Sequence, residues 1–343
     1  MLHVYFIHSG ITAIAAYDSV KFNLENGDEV CVISSRGFKW SYFLDSVQAF
    51  DLDELMKGKG EDLNLRKSNF RIIVRQICDW KKYLHALKEI INKTIVRDKD
   101  FIAYLPIYID EFVRHPKCKG YYFLEEGVFA YFSREYVTKI ARNTFQTIFK
   151  KCVFPLFGEH YYSIDYESKK FLGSVAISDK AFPWHNKEHI VRGVSGYIKE
   201  VSDSALPFHN IIVTDVLFEE NSVIENCLQN VITYIENNNA GKIGFKMHPM
   251  MYTKYSEKAE DVEQIIGKMK CLHDISILPR NYVIENNIFK YQTNIYSIFE
   301  LSSLSLYAIC FNAKTYLAKG LKEHYVIKEL KTVQEFMTEM CKK

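Results

Sequence analysis

Residues 3–34 read HVYFIHSGITAIAAYDSVKFNLENGDEVCVIS. An apolar run over His3–His8 breaks at Ser9-Gly10, and a helical pattern then runs from about Ile11 to Phe22. Asn26-Gly27-Asp28 is a turn, and Glu29–Ser34 is a second apolar strand. The same alternation continues outward, with short strands at Phe70–Arg75, Phe101–Leu105 and Gly120–Leu124 and a helix near Trp80–Lys93. Short strands that are apolar on both faces and alternate with helices call for a parallel sheet wrapped by helices.

A second pattern of this kind begins after the linker candidate Ser202–Pro207. Strands are expected at Asn210–Val213, Gly241–Lys246, Ile275–Leu278 and Thr293–Ile298. Helices are expected at Asn221–Asn237, Glu257–Lys270, from Ser302-Ser303 onward, and at Lys328–Met340. Between the two halves, residues 151–207 read as an irregular segment with a helix near Glu188–Val201. The expected fold class is α/β, with two Rossmann-like domains over 1–205 and 206–343 facing across a cleft. A C-terminal helix is expected to pack back on the first domain. Ligands of such domains bind beyond the carboxyl ends of the strands.

Composition narrows the class. With 44 basic and 42 acidic side chains among 343 residues, the net charge of +2 argues against a nucleic-acid partner. The 24 Phe and 23 Tyr are expected mostly in the cores, although aromatic rings also suit sugar binding. No apolar run approaches the roughly 20 residues that span a bilayer, and Met1-Leu2-His3 lacks a basic leader region. Eight scattered cysteines without a CxxC pair read as reduced, buried thiols of a cytoplasmic protein.

Three motifs fall at expected strand ends. Glu125-Glu126-Gly127 offers carboxylates beside a glycine that permits close backbone approach, which suits a general base. The same acids would also serve a helix's first turn. Lys246-Met247-His248-Pro249 holds an imidazole outside helical geometry, because proline disfavours it at His248. That histidine is either a donor to a leaving phosphate or a structural loop residue. Ser302-Ser303 opens a helix and is either an anion site or a simple N-cap.

In this order the motifs resemble those of bacterial sialyltransferases of the two-domain GT-B fold: a D/E-D/E-G, an H-P and a Ser/Thr pair. The first strand with its Ser9-Gly10 turn, Leu217–Asn221, and Leu278-Pro279-Arg280-Asn281 followed by Glu285 are similar to further segments of that family. Residues 151–207 are unmatched, and Met247 and Val283 stand where many relatives have proline. The resemblance implies inverting, metal-independent transfer of sialic acid from CMP-sialic acid to a glycan hydroxyl, with no cofactor. It implies Glu126 as base and His248 as the group that stabilises or protonates the leaving phosphate. Ser302 and Ser303 would hold that phosphate, and Lys246, Pro249 and Glu285 would line cytidine and ribose. Ser9, Gly10, Glu125 and Gly127 would complete the substrate site. The expected partners are a nucleotide-sugar donor and a glycan of a bacterial surface polysaccharide or lipooligosaccharide. Another CMP-activated sugar (Kdo or a different nonulosonate), or a non-catalytic glycan-binding protein of this fold, is the alternative.

Other signals compete. Asp51-Leu52-Asp53 and Asp98-Lys99-Asp100 spell the metal-binding DxD of other glycosyltransferases, but neither follows a strand in this reading, so both are expected on solvated surface. His185-Asn186-Lys187-Glu188-His189 spells the zinc-peptidase H-x-x-E-H, with no third ligand in view, and is expected to be a solvated helix start. The lysine-rich stretch from Lys314 would either form a helix on the first domain or graze an anionic membrane, a peripheral association at the inner face.

Overall fold

The computed structural model describes residues 1–59, 70–106, 109–131, 168–183, 185–192, 195–201, 208–239, 241–248, 251–252, 255–280, 282–299, 302, 304–311, 313–319 and 323–327. The chain forms two compact units, Met1–Gly196 and Tyr197–Lys343. The expected linker at 202–207, the helix expected over 328–340, and the sequence positions Pro249 and Ser303 lie outside the described residues.

The first unit holds a seven-stranded sheet: β1 (Leu2–Ile7), β2 (Glu29–Ser34), β3 (Gln48–Asp51), β4 (Phe101–Leu105), β5 (Cys118–Leu124), β6 (Phe171–Ala176) and β7 (Glu188–Val191). Their order is β3-β2-β1-β4-β5-β6-β7, with every pairing parallel. This is the doubly wound order, in which the chain reverses direction of winding between β1 and β4. All six residues of β1 are buried, as expected of a strand covered on both faces. The helix Gly10–Glu25 lies against the sheet through small residues, Ala13, Ala15 and Ala16 being wholly buried. Its start is fixed by a capping box in which Ser9 and Thr12 satisfy each other's backbone N–H groups.

The second unit repeats the plan with β8 (Asn210–Thr214), β9 (Ile243–Lys246), β10 (Ile275–Ile277), β11 (Asn294–Ile298), β12 (Thr315–Lys319) and β13 (Glu323–Ile327). The order is β10-β9-β8-β11-β12-β13, parallel except for the β12–β13 pair. Helices Asn221–Asn238 and Ser256–Met269 bury Ile224, Leu228, Val231, Ile232, Val262 and Ile266 against Ile212 and Phe245. Tyr296 of β11 and Tyr316 of β12 stack at 4.5 Å and bring the C-terminal edge into the same core. The chain is therefore α/β, with two Rossmann-like units.

Several local expectations are corrected. Phe70–Arg75 is helical, the first part of a helix over Phe70–Ile90, although Ile72-Ile73-Val74 reads as a strand in isolation. Phe70, Ile73, Val74, Ile77 and Trp80 recur at helical spacing, so the longer period prevails over a short β-branched run. Glu188–Val191 is an edge strand, and the helix expected there begins only at Ser195. From Thr315 the lysine-rich stretch forms the β12–β13 hairpin and not a helix; Tyr316 and Ala318 enter the core at strand period. Asp51 does end a strand, and it caps the short helix Leu52–Leu55 by accepting from the Asp53 and Glu54 N–H groups. Among the described cysteines Cys31, Cys118 and Cys227 are buried free thiols, whereas Cys78 and Cys271 are exposed.

The pairing of β7 depends on one glycine. Gly173 in β6 has φ +156°, and a Cβ there would stand 2.0 Å from the Glu188 carbonyl oxygen. No backbone atom of a paired strand can yield that far, so Gly173→Ala is expected to cost about 3 kcal/mol or more. A lowered urea midpoint, with selective loss of amide protection in β7, checks this.

Candidate functional site

In the first unit the site residues come from the carboxyl ends of β1, β2 and β5. The pleat sends successive side chains of β5 to opposite sides as it runs into Glu125-Glu126-Gly127. Glu125 is fully buried. The Tyr131 hydroxyl donates to its Oε1 at 2.7 Å, and the Ile177 backbone N–H donates to Oε2 at 2.8 Å. Both oxygens of Glu125 are thus committed to holding the loops after β5 and β6. Glu126 is the accessible carboxylate, with 18% of its side chain exposed. Its Oε1 lies 3.1 Å from Nε2 of His8 and 3.8 Å from a guanidinium nitrogen of Arg36. Gly127 has φ +119°, a conformation that favours glycine and turns the chain into the short 3-10 helix Val128–Tyr131.

Ser9 is a structural cap: its hydroxyl oxygen accepts from the Thr12 N–H at 3.3 Å, and Gly10 is the first helical residue. His8 and Arg36 were not among the sequence candidates. His8 is an ionisable residue closing an apolar strand, which is a readable signal. Arg36 sits in the left-handed region, with φ 56°, and its sequence neighbours Ser35 and Gly37 carry no such hint.

In the second unit the candidates follow β8, β9 and β11 and open the helix Glu285–Tyr291. Met247 is 1% exposed and belongs to the core, so the two residues flanking it, Lys246 and His248, are directed away from the core. Lys246 Nζ donates to the carbonyls of Pro279 at 3.5 Å, Arg280 at 3.1 Å and Tyr282. It therefore ties β9 to the loop after β10. Burial pushes Lys246 down from its ordinary 10.5 to about 8, with the Glu285 carboxylate opposing. Glu285 is raised by burial, against its own backbone N–H and Lys246. Burial also lowers His248, and the charge of Asp215 at the end of β8 opposes that. Ser302 donates its backbone N–H to Ser297 Oγ at 3.1 Å, and its own hydroxyl oxygen accepts from the Leu304 N–H at 3.3 Å. Its hydroxyl oxygen thus meets the first backbone N–H of the helix Leu304–Cys310, and its own proton has no acceptor among the described residues.

The competing motifs take other roles. His185 Nε2 and His189 Nδ1 both meet the buried Ser174 hydroxyl, at 2.8 and 2.7 Å. Glu188 instead accepts from the Tyr122 hydroxyl at 2.6 Å. Of the H-x-x-E-H segment only Glu188-His189 is strand and none of it is helical, so the two histidines do not share a helical face with Glu188. Among the described residues there is no group of three or more His, Cys, Asp or Glu that could hold a metal ion. No helix among them is long and apolar enough to cross a membrane.

No protein-family model matches the chain, and no curated protein matches it either. Among solved structures it is similar to UDP-N-acetylglucosamine 2-epimerase from Rickettsia bellii, at 13% identity and TM-score 0.42, covering 92% of this chain and 78% of that one. It is similar to the UDP-GlcNAc 2-epimerase from Neisseria meningitidis bound to UDP-GlcNAc, at 11% and 0.43, covering 92% and 82%. It is also similar to the GT-B domain of a sialyltransferase from Photobacterium damselae, at 10% and 0.43, covering 89% and 87%. Likeness at this level assigns neither activity nor residues.

Two outcomes follow from the charges in the second unit. Asp215→Asn removes the carboxylate that raises His248, so the imidazole should titrate at lower pH, as read by NMR. Lys246, depressed when folded, binds fewer protons than in the unfolded chain between about pH 8 and its ordinary 10.5. Its contribution to stability is therefore least favourable below pH 8 and improves as pH rises through that window. Urea unfolding across this range should lose that rise in Lys246→Met.

Proposed function

We propose that the protein is a GT-B-type glycosyltransferase that moves sialic acid from CMP-sialic acid to a glycan hydroxyl, with inversion and without a metal ion. The observation that supports this reading is that, after β5 of the first unit, Glu126 is left partly exposed while its neighbour Glu125 is sealed in. Within the second unit, His248 follows β9, and burial lowers its pKa from the ordinary histidine value. Each stands at the carboxyl end of a parallel strand, where doubly wound sheets bind ligands.

The acceptor hydroxyl gives its proton to Glu126 as its oxygen attacks the anomeric carbon. The bond from that carbon to the CMP phosphate breaks, and the electron pair leaves with CMP. His248 donates an N–H hydrogen bond to the departing phosphate, which needs no added proton because its second pKa is about 6. Ser302, with Ser303, supplies hydroxyl donors to the same phosphate. Leaving as a monophosphate, CMP develops less charge than a diphosphate, and hydroxyl and imidazole donors suffice. Glu285 and Pro249 line the cytidine and ribose. Lys246 serves them by holding the carbonyls of Pro279, Arg280 and Tyr282, so it shapes the nucleoside loop. Ser9, Gly10, Glu125 and Gly127 form the frame that presents Glu126 to the acceptor. The acceptor is a glycan of a bacterial surface polysaccharide or lipooligosaccharide, met at the inner face of the membrane.

Release of CMP from CMP-sialic acid or CMP-Kdo, and of UDP from UDP-GlcNAc, assayed with galactoside and sialoside acceptors, tests the reading. Acceptor-dependent release from CMP-sialic acid should survive EDTA and fall about 10²–10⁴-fold in Glu126→Gln and in His248→Ala. Full activity in both variants would contradict the assigned site. Turnover confined to CMP-Kdo would change the sugar, and turnover confined to UDP-GlcNAc would overturn the donor altogether.

A further inference from the structure

The contact between β1 and the loop after β5 is more than packing. We propose that His8 is the positioning residue of the base, a buried imidazole that donates Nε2–H to Glu126 and leaves one defined carboxylate oxygen for the acceptor proton. This deepens the reading above and rests on Glu126 being the base.

The side chain of His8 is 4% exposed, and its Nε2 is 3.1 Å from Glu126 Oε1. Its Nδ1 is buried with no hydrogen-bond partner among the described residues. Those two facts select the tautomer. A proton on Nδ1 would be an unpaired buried N–H, while a bare Nε2 would face the lone pairs of a carboxylate. A proton on Nε2 makes one charge-assisted hydrogen bond and leaves only an unpaired acceptor at Nδ1, the cheaper arrangement.

Among the described residues both side-chain partners of Glu126, His8 and Arg36, fall on Oε1. Oε2 is therefore the oxygen presented to a hydroxyl. His8 holds the carboxylate in place, and the acceptor proton is taken on Oε2. The backbone keeps the imidazole from turning away. Both His8 N–H and Ser9 N–H donate to Thr12 Oγ1 at 3.1 Å, so the capping box of the following helix also fixes His8.

The test compares His8→Leu, which keeps bulk without a donor, with His8→Gln, whose amide N–H can reach Oε1. His8→Leu should lower kcat about 10- to 100-fold at nearly unchanged donor KM, the weight of one hydrogen bond to a charged group. His8→Gln should recover most of that loss. Equal impairment in both variants, or wild-type kcat in His8→Leu, would overturn the proposal. If Glu126→Gln stays active, the base assignment itself falls. If Glu126→Gln is inactive while His8→Leu keeps its kcat, only the role of His8 falls. A readout without turnover is the long-range ¹H–¹⁵N spectrum of the full chain. His8 should show the Nε2–H tautomer, and should lose that single form in Glu126→Ala. An Nδ1–H pattern, or one indifferent to Glu126, would contradict it.

Discussion

A parallel strand covered on both faces leaves little room for charge along its length, and this constraint places the candidates that follow strands. β1 is buried throughout, and so is β8. The first tolerable positions for charge are the residues just past the strand ends, where backbone turns away from the sheet. His8 follows β1, Glu126 follows β5, Asp215 follows β8 and His248 follows β9. The alternation of the chain then sorts neighbours within each motif. Glu125 is sealed inside and Glu126 is left accessible; Met247 enters the core and His248 does not.

The same burial sets the electrostatic character of the second unit. Lys246 and His248 are both driven toward their neutral forms, and Glu285 and Asp215 push back. With its value at about 8, Lys246 still carries its positive charge near neutral pH. Lys246 is committed to three carbonyls, which makes it part of the scaffold of the loop after β10.

Most of the architecture was legible because its signals are local and strong. The strands over 29–34 and 101–105 and the long helix from Asn221 carry periodic apolar patterns bounded by turn residues. Failures fall where a short window misleads. Phe70–Arg75 looks like a strand until its apolar positions are followed into Trp80. Glu188–Val191 is held as a strand by pairing with β6, which no local pattern encodes. The candidate site was half legible. The motif residues stood out by type and position, but the division of labour between Glu125 and Glu126 comes from burial alone. His8 reads as the end of an apolar strand, and Arg36, which also approaches Glu126, sits in the left-handed region, which its sequence neighbours do not signal.

The account stands on the second unit reading a cytidine monophosphate. Calorimetric titration of the full chain with CMP, UMP and UDP-GlcNAc in parallel, with and without EDTA, tests this most directly. The account predicts saturable one-site binding of CMP that is unaffected by EDTA, with UMP and UDP-GlcNAc at least tenfold weaker. Binding of UDP-GlcNAc with no heat from CMP would contradict it.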